Sequence, residues 1–266
     1  MKAGALSGFN ISLNTLDPFS MRFSQTKRLS ILHIFPLMYP SFGDRESSIV
    51  PVMAFFWYPI TNDYKVVVLQ YSEDIDYTLG MVHTLGTDYW KDLGTDLDAE
   101  ILILNRTTCC TYLNGFYYFL GSHARVISFD MGTDALQVIP QPNEIQLPMG
   151  QWSDQNLHLA VYQDRIALFK LGYQDYHLNV WLLEEGSWIK HLSVGPLTGM
   201  VYPVGCWNNE ELLLHSETYE LLLCKLTTLE IRHLGLQGSY NCLGINKYRE
   251  SLISIEDLYK HRHERR

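Results

Sequence analysis

From Val50 to Ile255 the chain is a succession of short apolar or alternating runs broken by turn residues, with few stretches long and periodic enough for an amphipathic helix. The pattern predicts strands in groups of four. The first group is Met53 to Tyr58, Tyr64 to Tyr71 after a Thr61-Asn62-Asp63 turn, Tyr77 to Leu85, and Asp88 to Leu93. The second is Cys109 to Leu113, Phe116 to Leu120, Val126 to Asp130 and Leu136 to Ile139, and its Asn114-Gly115 step is the strongest short hairpin signal in the sequence. The third is Leu157 to Tyr162, Arg165 to Leu171, His177 to Leu183 and Ser187 to Leu192, with turns at Gln163-Asp164 and Glu184 to Gly186. The fourth is Val201 to Trp207, Glu210 to His215, Leu221 to Leu226 and Leu229 to Leu236, and a further strand is expected over Ser251 to Ile255.

Trp90, Leu136, Trp188 and Ile231 occupy equivalent places in the fourth strands and fall 46, 52 and 43 residues apart. Irregular periods near 45 residues suit the blades of an all-β, kelch-type propeller. A four-stranded sheet cannot cover both of its own faces, so such blades bury their side chains against one another around an axis. The rival architecture is a β-sandwich without blade repeats. Residues 1–49 contain Asp17-Pro18, Pro36 and Pro40 around one apolar run, Leu29 to Met38, and fit no blade. The expected organisation is therefore an irregular or poorly ordered segment 1–49, a propeller-like domain 50–256, incomplete at its front, and a basic tail 257–266.

Composition sharpens this picture. The 266 residues include 17 Tyr, 11 Phe and 6 Trp, an aromatic load that an all-β core accommodates well. The formal net charge of -9 argues against a nucleic-acid partner, which requires clustered Lys and Arg facing phosphates. No secretory h-region or membrane-length apolar run is evident, so a soluble protein of the cytoplasm or nucleus is expected, without a membrane partner. The tail Lys260 to Arg266 reads as a solvated terminus.

A search for chemistry yields little. Cys109, Cys110, Cys206, Cys224 and Cys242 form no C-x-x-C pair and read as small core residues rather than disulfides or zinc ligands. His158, His177, His191, His215 and His233 fall on separate predicted strands, so no metal and no cofactor are expected. Neither G-x-S-x-G nor G-x-x-x-x-G-K-[ST] occurs. Asp74 with Asp76, Asp96 with Asp98, and Glu184 with Glu185 sit in predicted turns and read as solvated. An enzyme is not expected, and the alternative is a propeller hydrolase acting on glycans through opposed carboxylates. What remains is loops on a rigid scaffold. Gly172-Tyr173-Gln174-Asp175-Tyr176 is the most suggestive, because two tyrosines on one connection offer stiff, amphipathic contact area; Tyr173, Gln174, Asp175 and Tyr176 are the candidate partner-binding residues.

Pro59-Ile60-Thr61-Asn62-Asp63-Tyr64-Lys65-Val66-Val67 resembles the "D-x-x-T-N-D-Y-K-V-V" segment of plant F-box proteins that carry an F-box-associated, kelch-like domain. Gly115 to Phe119 resembles that family's "N-G-x-x-Y-W-L", Val126 to Met131 its "I-L-S-F-D-M", and Ile139-Pro140-Gln141-Pro142 its "I-P-x-P". Val180 to Leu183 with Gly186 to Lys190 resembles "I-W-V-M-x-E-Y-G-x-x-x-S-W-x-K", and Glu211 to Leu214 and Tyr248 to Leu252 resemble "E-I-L-L" and "Y-x-E-S-L". These pieces follow the family's order over roughly residues 52 to 256, and the S-locus group is the most similar.

The resemblance implies substrate recognition for a cullin-type SCF ubiquitin ligase, with a target protein as partner. For an S-locus-like member it implies recognition of a basic ribonuclease. The family's F-box, with its "L-P-x-x-L" and "R-x-x-x-V-C-K-x-W" pieces, is not found here, nor are the "C-N-G-L" and "N-P-x-T" turns of its first blade. A Skp-type adaptor and cullin are therefore expected as partners only where an F-box is supplied elsewhere.

Overall fold

Strands buried on both faces read as continuous apolar runs, whereas strands with one wet face alternate, and both kinds occur here in a fixed order. A computed structural model of the chain describes residues 9–13, 52–58, 63–72, 77–84, 87, 90–93, 110–145, 157–172, 174–237 and 243–247. Its strands are β1 (Phe9–Leu13), β2 (Val52–Tyr58), β3 (Asp63–Ser72), β4 (Tyr77–Thr84), β5 (Trp90–Asp92), β6 (Cys110–Leu113), β7 (Phe116–Leu120), β8 (Val126–Asp130), β9 (Ala135–Ile139), β10 (Leu157–Tyr162), β11 (Arg165–Leu171), β12 (Leu178–Glu184), β13 (Ser187–Val194), β14 (Met200–Cys206), β15 (Glu211–Ser216), β16 (Glu220–Lys225), β17 (Ile231–Gln237) and β18 (Leu243–Lys247).

Four antiparallel sheets take their strands in chain order, β2 to β5, β6 to β9, β10 to β13 and β14 to β17, and each is a propeller blade. The first strands of blades two, three and four touch one another, β6 with β10 and β10 with β14, and β18 of the two-stranded β1–β18 sheet packs beside β14, so these strands lie innermost. The last strands are outermost, and β13 and β17 are half or fully exposed along their whole length.

Alternation within a strand sends neighbouring side chains into two different interblade cores. In β11, Ile166 and Leu168 pack toward blade two, while Ala167, Phe169 and Leu171 pack toward blade four. In β7, Phe119 joins Val67, Leu69 and Val82 of blade one, while Leu120 joins Leu157 and Leu159 of blade three. In β15, Leu212 and Leu214 meet blade three, and Leu213 faces the far side of blade four with Val204, Leu221 and Leu223.

The hairpin turns follow from residue type. Asn114 and Gly115 have φ of 50° and 88°, the doubly left-handed form that matches strand twist. Gln163 and Asp164 adopt the same form without a glycine, at 50° and 56°. The Gln163 N–H donates to Asn209 Oδ1 of the next blade's first turn at 3.3 Å, which helps to hold that geometry.

Each expected strand of the four blades is present, with ends shifted by a residue or two. Two strands escaped the sequence pattern: β1, inside the segment that fits no blade, and β18, which pairs with it antiparallel from Phe9↔Lys247 to Leu13↔Leu243. The strand expected over Ser251 to Ile255, and the tail, lie outside the described residues.

Phe169 is fully buried between blades three and four, so Phe169→Ala should cost about 3–5 kcal/mol. Ile189, half exposed on β13, should cost less than about 0.5 kcal/mol on replacement by alanine. Urea unfolding of the two variants beside the parent chain measures the contrast.

Candidate protein-interaction surfaces

Antiparallel order places every blade's first and third turns at one end of the propeller, and the second turns and blade-to-blade connections at the other. The candidate loop, Gly172 to Tyr176, joins β11 to β12 and lies at the connection end. It is tightly self-bonded. The Gly172 N–H donates to the His177 carbonyl at 2.9 Å and the Tyr176 N–H to the Gly172 carbonyl at 3.1 Å. Asp175 Oδ1 accepts from the His177 N–H at 3.1 Å, and a Cβ on residue 172 would fall 1.9 Å from that oxygen, so a side chain there would displace the Asp175 carboxylate. The β13–β14 connection supports the loop from beneath, with the Leu197 N–H donating to the Tyr176 carbonyl at 2.8 Å.

Gln174 and Asp175 project into solvent, whereas Tyr176 is half-buried with φ of 52°. Tyr173 lies outside the described residues. The loop is thus a preformed polar projection, and of the two expected tyrosine anchors Tyr176 is partly committed to the blade.

At the turn end, the residues of the motifs form latches between blades. Lys65 on β3 is buried, and its ammonium donates to the Met131 carbonyl at 2.8 Å and to Asp134 Oδ1 at 2.5 Å. Lys91 on β5 reaches Asp134 Oδ2 at 3.0 Å, so one carboxylate in the β8–β9 turn holds two cations of blade one. Asp130 shapes that turn by accepting from the Gly132 N–H at 2.8 Å and the Thr133 N–H at 3.4 Å. Burial pushes its carboxyl up, but these N–H donors, the Thr133 side chain and the Lys65 charge outweigh burial and hold it below its ordinary value. Between blades two and three, the Trp188 indole donates to the Pro140 carbonyl at 2.8 Å and the Trp181 indole to Glu144 at 2.9 Å. The first of these contacts joins the "S-W-x-K" and "I-P-x-P" pieces. The signature residues set blade geometry, a role that spacing in the sequence did not reveal.

The other candidates for chemistry disperse. Among the described residues no group of three or more metal-ligating side chains converges. Nor is any helix there long and apolar enough to cross a membrane. His158 and His215 are buried on β10 and β15, with ring contacts to Phe169 and Tyr219. His177 precedes β12, and His191 and His233 lie exposed on outer strands. Burial pushes the Cys206 thiol up to about 12 and that of Cys224 upward as well, so neither forms a thiolate near neutrality. Cys110 lies on β6, and Cys109 and Cys242 lie outside the described residues. Glu184 pairs with Arg165 and Glu185 is exposed in the same turn; Asp74, Asp76, Asp96 and Asp98 lie outside the described residues.

The model of the F-box associated beta propeller domain matches residues 37–226, and the chain belongs to that family. No curated protein matches the sequence. Similar solved structures include a chain of the S. cerevisiae Dbp5 complex with Nup159 and Gle1, at 11% identity and TM-score 0.36, covering 63% of this chain and 43% of that one. The β-propeller domain of the Trilobed protease from Pyrococcus furiosus is similar at 10% identity and TM-score 0.40, covering 71% and 68%. The N-terminal domain of Nup159 is similar at 12% identity and TM-score 0.39, covering 73% and 48%. The chain thus spans less than half of the first and third of these.

Two predictions follow from the latch and the titrating groups. Asp134→Asn should destabilise by about 2–3 kcal/mol, because it removes the carboxylate bonded to the buried Lys65 ammonium. Lys65→Met, which removes the buried charge itself, should cost less; denaturant midpoints of the pair decide the order. Burial also lowers the pKa of His215, so like Asp130 it binds protons more weakly in the fold than in the unfolded chain. Stability contributed by such groups is present above the unfolded value and lost on acidification. Urea midpoints against pH should fall first as pH drops below 6.5 and again below 3.8, with His215→Phe diminishing the first fall and Asp130→Asn the second.

Proposed function

We propose that the chain is the target-recognition domain of an SCF-type ubiquitin ligase and catalyses nothing itself. The observation that carries this reading is the family match over residues 37–226, the domain that accompanies an F-box. The geometry is compatible with it. A scaffold whose blades are latched by buried charge and indole hydrogen bonds presents rigid turns and loops at both ends, which is what a binding surface requires. In this reading an F-box, with its Skp-type adaptor and cullin, brings the ubiquitin-transfer machinery, and the domain holds the target in the cytoplasm or nucleus. Gln174, Asp175 and Tyr176, with Tyr173 beside them, supply one contact loop. The acidic balance of the chain favours a basic target, and the S-locus-like motifs point to a ribonuclease as the target class.

The glycan-hydrolase alternative needs two carboxylates facing each other near the axis. None of the strands β6, β10, β14 and β18, which pack against one another, carries an Asp or Glu. That absence favours recognition over hydrolysis.

Cells expressing the chain alone and the chain joined to an F-box test the reading. With the F-box, adaptor and cullin should be recovered, and at least one protein bound by the chain alone should become ubiquitinated and fall in abundance several-fold when the proteasome is active. If joining the F-box changes neither the ubiquitin load nor the abundance of any bound protein, the ligase role is wrong.

A further inference from the structure

An asparagine followed by glycine holds both partners of a reaction side by side. The glycine's peptide nitrogen can attack the asparagine Cγ to close a five-membered ring, and no Cβ on the glycine obstructs it. Asn114-Gly115 is the single Asn-Gly step in the sequence, and no Asp-Gly step occurs. Asn114 is exposed at the tip of the β6–β7 turn, and its carboxamide has no hydrogen-bond partner among the described residues. A Cβ built on Gly115 would meet nothing within 4 Å, so the space beside it is open. The Gly115 N–H stands outside the strand ladder and donates at 3.2 Å to the hydroxyl of Tyr112, itself 45% exposed. Ring closure requires only the tip of the hairpin to open, and a bond to an exposed phenol resists that weakly.

The same turn is wired to the latch between blades one and two. The Gly115 carbonyl accepts from the Met131 N–H at 3.0 Å, and the Met131 carbonyl in turn accepts from the buried Lys65 ammonium at 2.8 Å. Lys65 is also the cation that Asp134 holds. Two hydrogen bonds therefore separate the backbone of the Asn114-Gly115 turn from the charge that ties blade one to blade two.

We propose that Asn114 is a site of spontaneous deamidation and that its iso-aspartyl product loosens the seam between blades one and two. The bond from Gly115 N to Asn114 Cγ forms, the bond from Cγ to Nδ2 breaks, and the side-chain nitrogen leaves as ammonia with the proton from Gly115 N. Water then opens the resulting succinimide. Cleavage at Cγ gives an ordinary aspartate, whereas cleavage at the α-carbonyl routes the main chain through Cγ; neither course needs an oxidant, a cofactor or an enzyme. Aspartate keeps the backbone intact, and Asp-Gly suits the same turn. The iso-aspartyl form adds one atom to the backbone where Leu113 pairs with Phe116 and where Gly115 holds Met131. This inference is independent of what the domain binds.

The test incubates the full folded chain at mildly alkaline pH and follows it over days by peptide mapping with mass spectrometry, which resolves asparagine, aspartate and iso-aspartate at residue 114. Conversion there should outpace that at every other asparagine by about tenfold or more, rise with pH, and be abolished in Asn114→Gln. Freshly prepared Asn114→Asp should unfold close to the parent's urea midpoint, whereas material enriched in the iso-aspartyl form should unfold at a lower one. In a Lys65→Met background, where the latch is already gone, that drop should largely disappear. The proposal is overturned if another asparagine reacts first, if the iso-aspartyl material unfolds at the same urea concentration as Asn114→Asp, or if Lys65→Met leaves the drop at its full size.

Discussion

Everything in this chain depends on burying both faces of each sheet against its neighbours. A strand such as β11, with Ile166 and Leu168 on one side and Ala167, Phe169 and Leu171 on the other, has no solvent face to give up. Taken out of its ring, such a blade would expose two apolar surfaces. Hydrophobic burial is therefore collective along the stack of blades, and the polar latches add orientation to it.

That division of labour explains what could be read from the residues. Runs such as Leu212-Leu213-Leu214 and Ile166 to Phe169 announce strands with two covered faces, and Asn114-Gly115 and Glu185-Gly186 announce hairpins whose backbone needs positive φ. The assignment into fours was legible because every turn of that kind separates strands adjacent in space. The strands β1 and β18 were not, because Phe9–Leu13 and Leu243–Lys247 are short and their pairing partners lie at opposite ends of the sequence. No local pattern reports a contact of that range.

The candidate surfaces were legible in a different measure. Loop 172–176 stood out by composition, but the β13–β14 connection bonded to the Tyr176 carbonyl and the half-burial of Tyr176 are matters of tertiary packing. Asp134 gave no sign of holding Lys65 and Lys91, since the three residues come from different strands and turns. Phe116 looked like one more strand residue. It is 38% exposed, and its row across the sheet passes from Leu113 to Asp130 and Ala135, which is a property of rows across a sheet rather than of any single run.

The pairing of β1 with β18 sets a clock on biosynthesis. The strand that residues 9–13 pair with is made more than two hundred residues after them. At about 5–20 residues per second that interval is on the order of ten seconds or longer. Throughout it the blades between can assemble one upon another, while Phe9–Leu13 remains an unpartnered strand edge of the sort that chaperones shield. The β1–β18 pairing can form only once all four blades between its strands have been made.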